Sequence, residues 1–231
     1  MDPELGVGIG PADWQVAVGM AVAPGYAFER GPWDFSPSPD RGAFGALIIE
    51  GVILIRIDAG ERAHIEMLGE GDVISPWVGS GAELSTPSLV TASVVVRARV
   101  ALLDRRFALR TARWPEIHAA LVQRCIVRAR RLSLQSAVNA LPRVEERVEV
   151  TLWALAYRFG RVTPEGIVMN LPISHSQLAD IVAAQRPSVS TAVVRLEDQG
   201  RLERIERRTW RLSGEPPAML TSLARQSGLE A

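Results

Sequence analysis

"SHSQLADIVAAQRPSVSTAVVRLEDQG", Ser174 to Gly200, consists of two short apolar-periodic segments hinged at Ala183-Ala184-Gln185. Leu178, Val182, Val189 and Val193 fall where two helices joined by a tight turn must be apolar to lock together, and Ala179 is small enough for them to approach. This leaves Arg186, Ser188, Ser190 and Thr191 on the outer part of the second segment's first turns. A helix-turn-helix presents those positions to the major groove of DNA. There an arginine can bond guanine O6 and N7 together, and hydroxyls can reach bases or phosphates. The stretch therefore predicts a helix-turn-helix with a DNA-facing second helix.

Downstream, "LERIERRTWRL" (Leu202 to Leu212) reads as two short β-runs around Arg207-Arg208. Their expected form is the two-stranded wing of a winged helix, with Arg204, Arg207, Arg208 and Arg211 as candidate phosphate contacts. Upstream, Val148, Leu152, Leu155, Ala156 and Phe159 mark an amphipathic helix that ends near Gly160, followed by the short, β-like "RVTPEGIVMNLPI".

Before this region no Gly or Pro interrupts the chain between Pro115 and Pro142, and Pro115 suits the first turn of a helix. One long helix is predicted, roughly 40 Å at 1.5 Å per residue. Ile117, Ala120, Arg124, Val127, Arg131, Leu134, Val138 and Leu141 follow 3-4 heptad spacing. The apolar members Ile117, Ala120, Val127, Leu134, Val138 and Leu141 are the candidate parallel dimer seam, set against packing of the same helix on its own domain.

The first hundred residues have a different texture. "ALIIEGVILIRID" (Ala46 to Asp58) reads as two β-rich runs broken at Glu50-Gly51, and Glu61 to Leu68 alternates apolar and polar side chains. "GEGD" (Gly69 to Asp72) is a turn, and Val90 to Val96 and Val100 to Leu103 are again strand-like. Short strands separated by turn residues predict a barrel or roll. The expected organisation is a β-roll over residues 1–110, the long helix over 111–142 and the winged helix over 143–231.

Composition agrees with a folded, two-domain chain of 231 residues: 47% apolar, 23% charged. Net charge is zero, yet residues 1–110 hold 9 Arg against 14 acidic residues and 111–231 hold 17 against 12. The basic half contains the helix-turn-helix. Every basic residue is arginine. Cys125 is the single cysteine, which excludes an internal disulfide and is expected to be a small buried apolar side chain. Met1 to Ala12 lacks the basic start and apolar core of a signal peptide, and no apolar run is long enough for a membrane span, so the expectation is a soluble, cytoplasmic protein.

In this order, β-roll, long helix and winged helix, the chain resembles the Crp/Fnr family of bacterial transcription regulators. The resemblance rests on "LADIVAAQRPSVSTAVVRLEDQGRLERI" (Leu178 to Ile205) and "LIIEGVILIRI" to "LGEGDVIS" (Leu47 to Ser75), and covers roughly residues 20–213. It implies an α+β fold: an N-terminal β-roll of cupin-like jelly-roll form, a long dimerisation helix and a C-terminal winged helix-turn-helix. It also implies a homodimer on palindromic double-stranded DNA, with RNA polymerase as a further partner. Arg186, Ser188 and Thr191 match the family's DNA-reading positions, whereas Pro187 stands where many relatives carry a cytosine-reading glutamate.

Nucleotide-binding relatives cradle a cyclic phosphate with Gly-Glu-Leu and, about a dozen residues later, Arg-Ser or Arg-Thr. Here Ser75-Pro76 and Ser88-Leu89 occupy those places, and no Arg or Lys occurs from Ala63 through Val96. A buried phosphate would lack its cation, so the conventional use of cyclic nucleotide is not expected. "GAEL" at Gly81 to Leu84 is a shifted alternative, and Arg128 or Arg131 of the long helix could supply the charge instead. Trp77 and Glu83 are the candidate effector-pocket residues. The effector itself stays unnamed.

Three scattered histidines, His64, His118 and His175, and one cysteine build neither a metal cluster nor a nucleophile-base set. No cofactor, metal or enzymatic activity is expected. The predicted function is sequence-specific DNA binding by a transcription regulator. The alternative is a small-molecule receptor whose winged helix makes only protein contacts.

Overall fold

The computed structural model describes residues 3–35, 43–60, 62–74, 89–206 and 208–221. The chain divides into two compact units, residues 1–132 and 133–231.

The first unit is built on an antiparallel sheet of six strands: β1 (Gly25–Phe28), β2 (Gly31–Trp33), β3 (Gly45–Ala59), β4 (Arg62–Leu68), β5 (Val73–Ile74) and β6 (Leu89–Leu103). The order β1-β6-β3-β4 forms the main path, with β2 added to β6 and β5 to β3. The Glu50-Gly51 break does not end a strand. It is an irregularity within β3, where the register against β6 shifts between Ile48 and Ile53. Gly51 adopts φ of 94° there, and a Cβ would collide with the Arg97 carbonyl oxygen.

The consequence is a change of parity. Ile48 before the shift and Ile53 and Ile55 after it all enter the same core, with Leu68, Ile74, Val94 and Val100. A regular strand would have sent one of the two groups to the opposite face. The apparent gap between Val96 and Val100 likewise lies inside one 15-residue strand.

Leu47, Val73 and Leu103 belong to a second core, covered by helices. These are a 3-10 turn (Pro3–Gly6), α1 (Pro11–Met20), α2 (Arg105–Thr111) and the first part of α3 (Pro115–Asn139). Asp104 caps α2 by accepting a hydrogen bond from the Phe107 N–H at 2.7 Å. The α1 helix lies in a region where the sequence pattern suggested only strands. Its apolar side chains are spread around the helix, so no amphipathic stripe announces it.

The second unit holds α4 (Val144–Phe159), β7 (Gly160–Thr163), β8 (Gly166–Asn170), α5 (His175–Ile181), α6 (Arg186–Asp198), β9 (Leu202–Glu206) and β10 (Thr209–Leu212). The expected two-stranded wing is half of a four-stranded antiparallel sheet in the order β7-β8-β10-β9. The end of α3 is fixed to this unit, where Gln135 and Asn139 both donate to the Ile181 carbonyl, at 3.3 and 3.1 Å. Among the described residues no helix is long and apolar enough to cross a membrane.

Candidate nucleic-acid interface

The site begins with a capping box. Ser174 Oγ accepts from the Gln177 N–H at 3.2 Å, while Gln177 Oε1 accepts from the Ser174 N–H at 2.9 Å, and α5 starts. It runs seven residues and is stopped at Ala183, whose φ of 51° turns the chain sharply. Gln185 then leads into α6, with Pro187 in the first turn, where its missing N–H is harmless. Leu178, Ala179, Val182, Val189 and Val193 are all buried, joined by Leu196, Leu202 and Trp210. The apolar lock expected between the two helices is present.

What α6 leaves outside is Arg186, Pro187, Ser188, Thr191, Val194 and Arg195, with Asp198 at its far end. Ser190 is different. It is half-buried, and its hydroxyl lies 3.0 Å from His175 Nδ1, so it ties the second helix to the first. Thr191 donates to the Pro187 carbonyl at 3.1 Å, which leaves its oxygen lone pairs free to accept. Sequence reasoning overlooked Arg195 and His175. Arg195 was legible as the residue seven after Ser188 and four after Thr191, on the same helix face. Ser188, Thr191 and Arg195 line a cleft of about 470 Å³ with Arg143, Val144 and Glu145 of the α4 start.

His175 also reports the local field. Burial lowers its pKa, and the charges of Arg204 and Arg186 lower it further, against a smaller opposing effect of Glu197. Its ring stands 6.3 Å from Trp210, and its buried Nε2 has no hydrogen-bond partner among the described residues. The two guanidiniums that disfavour a proton on His175 also make the start of α6 positive. A helix N-terminus adds to that field, so this end of the helix suits an anion.

The remaining arginines differ in availability. Arg204 is exposed and stacks 5.1 Å over the Trp210 ring, and Arg208 is exposed at the β9–β10 turn. Arg211 is paired with Glu203 on the neighbouring strand. Arg207 lies outside the described residues, as do Trp77 and Glu83 of the expected effector pocket.

Along α3 the expected seam needs correcting. Ile117 and Val138 are each 2% exposed within this chain, so neither has surface left to give to a partner. Ala120, Leu134 and Leu141 are half-buried, and of the six only Val127 is exposed. The face carrying Ile117 packs on this chain's own sheet unit, and its arginines are engaged there. Arg128 holds Glu66 through two contacts of 2.7 Å, Arg131 pairs with buried Asp72, and Arg124 reaches the Gly71 carbonyl at 3.3 Å. Arg128 and Arg131 are thus bound to carboxylates rather than offered to a phosphate. The opposite face carries Ala119, Val122, Ile126, Ala129 and Ser133, all exposed and in 3-4 spacing, flanked by Cys125, which is exposed rather than buried.

The geometry accords with what is known of other proteins. Residues 146–213 match the Crp-like helix-turn-helix domain. No curated protein matches the chain in sequence. Solved structures match it in fold. FixK2 from Bradyrhizobium japonicum does so with TM-score 0.62 and 18% identity, over 91% of this chain and 98% of that one. A mutant of CooA from Carboxydothermus hydrogenoformans gives 0.61 and 16%, over 91% and 90%. A cyclic nucleotide-binding domain containing protein from Listeria monocytogenes EGD-e gives 0.65 and 17%, over 85% and 95%.

Proposed function

We propose that the chain is a DNA-binding transcription regulator of the Crp/Fnr type, supported by its Crp-like helix-turn-helix domain over residues 146–213, and that α6 is its recognition helix. The observation that carries this reading is the sorting of α6 into a buried apolar side and an outer side of Arg186, Ser188, Thr191 and Arg195. Arg186 reads a guanine edge; Ser188 donates to a base or a phosphate, and Thr191, whose proton goes to the Pro187 carbonyl, accepts from a base amino group; Arg195, Arg204 and Arg208 hold the backbone. Ser190 is a positioning residue, because its hydroxyl is already committed to His175. Arg211 contributes less than the others, since contact with phosphate would require it to leave Glu203.

The regulator acts as a homodimer on a palindromic operator, with two α6 helices about one DNA turn apart, roughly 34 Å. Its seam is the exposed stripe of Val122, Ile126, Ala129 and Ser133 rather than the Ile117 face. It is a binding protein, not an enzyme. A winged helix used for protein contacts alone is not favoured, since the domain match is to the Crp-like type.

The test is fluorescence anisotropy of the full chain on duplex DNA from upstream of its own gene, against scrambled duplex at fixed salt. Arg186→Ala should weaken specific binding by about 1 to 3 kcal/mol and relax preference at one operator position. Unchanged affinity together with unchanged preference would remove Arg186 from the reading role.

A further inference from the structure

The first unit contains a cavity of about 530 Å³ between the outer face of the sheet and the helical segment that precedes it. That volume lies within the range of small-molecule sites. It exists for a definite reason. Beneath it β1 and β6 pair Gly25 with Ala101 and Ala27 with Arg99, and the small size of Gly25, Ala27 and Ala101 leaves a depression. Leu47, Leu103 and Phe107 form its deeper wall. The 3-10 turn and α1 close it from above with Leu5, Trp14 and Ala17. Close-packed interiors do not normally leave such a volume unfilled.

The lining is mostly apolar, with the Trp14 indole and the Tyr26 hydroxyl as neutral polar groups. Among the described residues that line the cavity, Arg99 alone is charged. Its side chain is 61% exposed, and its nearest ion-pair contact, to Glu50, is 3.9 Å, the outer limit of such a pair. A greasy cavity with a cation at its mouth is complementary to an amphipathic anion. We propose that this cavity is a binding site for a small-molecule carboxylate with an aliphatic or aryl body: the body lies over Ala27 and Ala101, and the carboxylate meets Arg99. Ile48, Ile53, Ile55 and Leu68 of the other sheet core do not line this site.

Two features connect the site with α3. Ile117, in the first turn of that helix, is part of the cavity wall. Arg124, two turns further on, pairs with Glu4 of the covering 3-10 turn at 3.0 Å. A ligand that moves the covering segment acts directly on the start of the long helix.

Calorimetric titration of the full chain with decanoate, and in parallel with decanol, tests this. The expected result is one decanoate per chain with a micromolar dissociation constant. Ala101→Phe, which fills the floor, should weaken both ligands at least about 20-fold. Arg99→Glu, a change at an exposed position, should weaken decanoate about 10-fold and leave decanol unchanged. Far-ultraviolet circular dichroism and the thermal midpoint of each variant serve as the control for folding, a readout that requires neither ligand nor DNA binding. No decanoate binding by the parent chain, or equal binding by an Ala101→Phe protein with the parent's fold by circular dichroism, would overturn the site. Indifference of decanoate to Arg99→Glu would overturn the carboxylate assignment.

Discussion

At the scale of single residues, His175 joins α5 to α6 through the Ser190 hydroxyl, 3.0 Å from its Nδ1. Folding lowers the pKa of His175 below its reference value of 6.5, through burial first and then through Arg204 and Arg186. Between the folded value and about 6.5 the unfolded chain therefore binds more protons than the folded one. Stability is complete above that window and falls as pH drops through it. Denaturant unfolding at several pH values should show the parent losing more stability between about pH 7 and 5 than His175→Gln, which lacks this titration. Equal slopes in the two proteins would show that His175 carries no such linkage. The same environment explains why Ser190 looked like a DNA contact in the sequence. It has the right residue type at the right spacing, and only the fold brings a half-buried imidazole to 3.0 Å from it.

At the scale of elements, α3 carries two opposed stripes of 3-4 spacing, and sequence cannot say which one meets the chain's own sheet. The deciding partners, Glu66 and Asp72, lie some sixty residues away at β4 and at the turn before β5. Arg124 and Arg131, which interrupt the Ile117 stripe, are there because that side faces carboxylates and a carbonyl. Ile126→Arg should therefore convert a dimer into a monomer by light scattering, because it places charge in the seam. Val127→Arg, on the flank, should leave the dimer intact. The apolar lock of α5 on α6 was legible because its four positions depend on local spacing alone. The covering helix α1 was not legible, because its apolar residues mark no face, and neither was the parity change at Gly51, which exists only relative to β6.

At the scale of the whole molecule, zero net charge hides an acidic half and a basic half of opposite sign. Binding to DNA should then depend on salt as a basic domain does, with the logarithm of affinity falling linearly in the logarithm of salt concentration. Arg204→Ala and Arg208→Ala should each reduce that slope by about 1 while weakening all sequences alike. A change confined to one sequence would instead make that arginine a base reader. The exposed side of α6 has a further consequence, for redesign. Arg186 and Ser188 point away from the apolar lock, Thr191 bonds back to its own helix, and the exposed Arg195 pairs with Glu145 at 3.6 Å. These four positions can be varied together to rewrite which operator is chosen, while Ser190 and the valines beneath must stay fixed. The helix thus separates into letters that can be changed and a binding that holds the page.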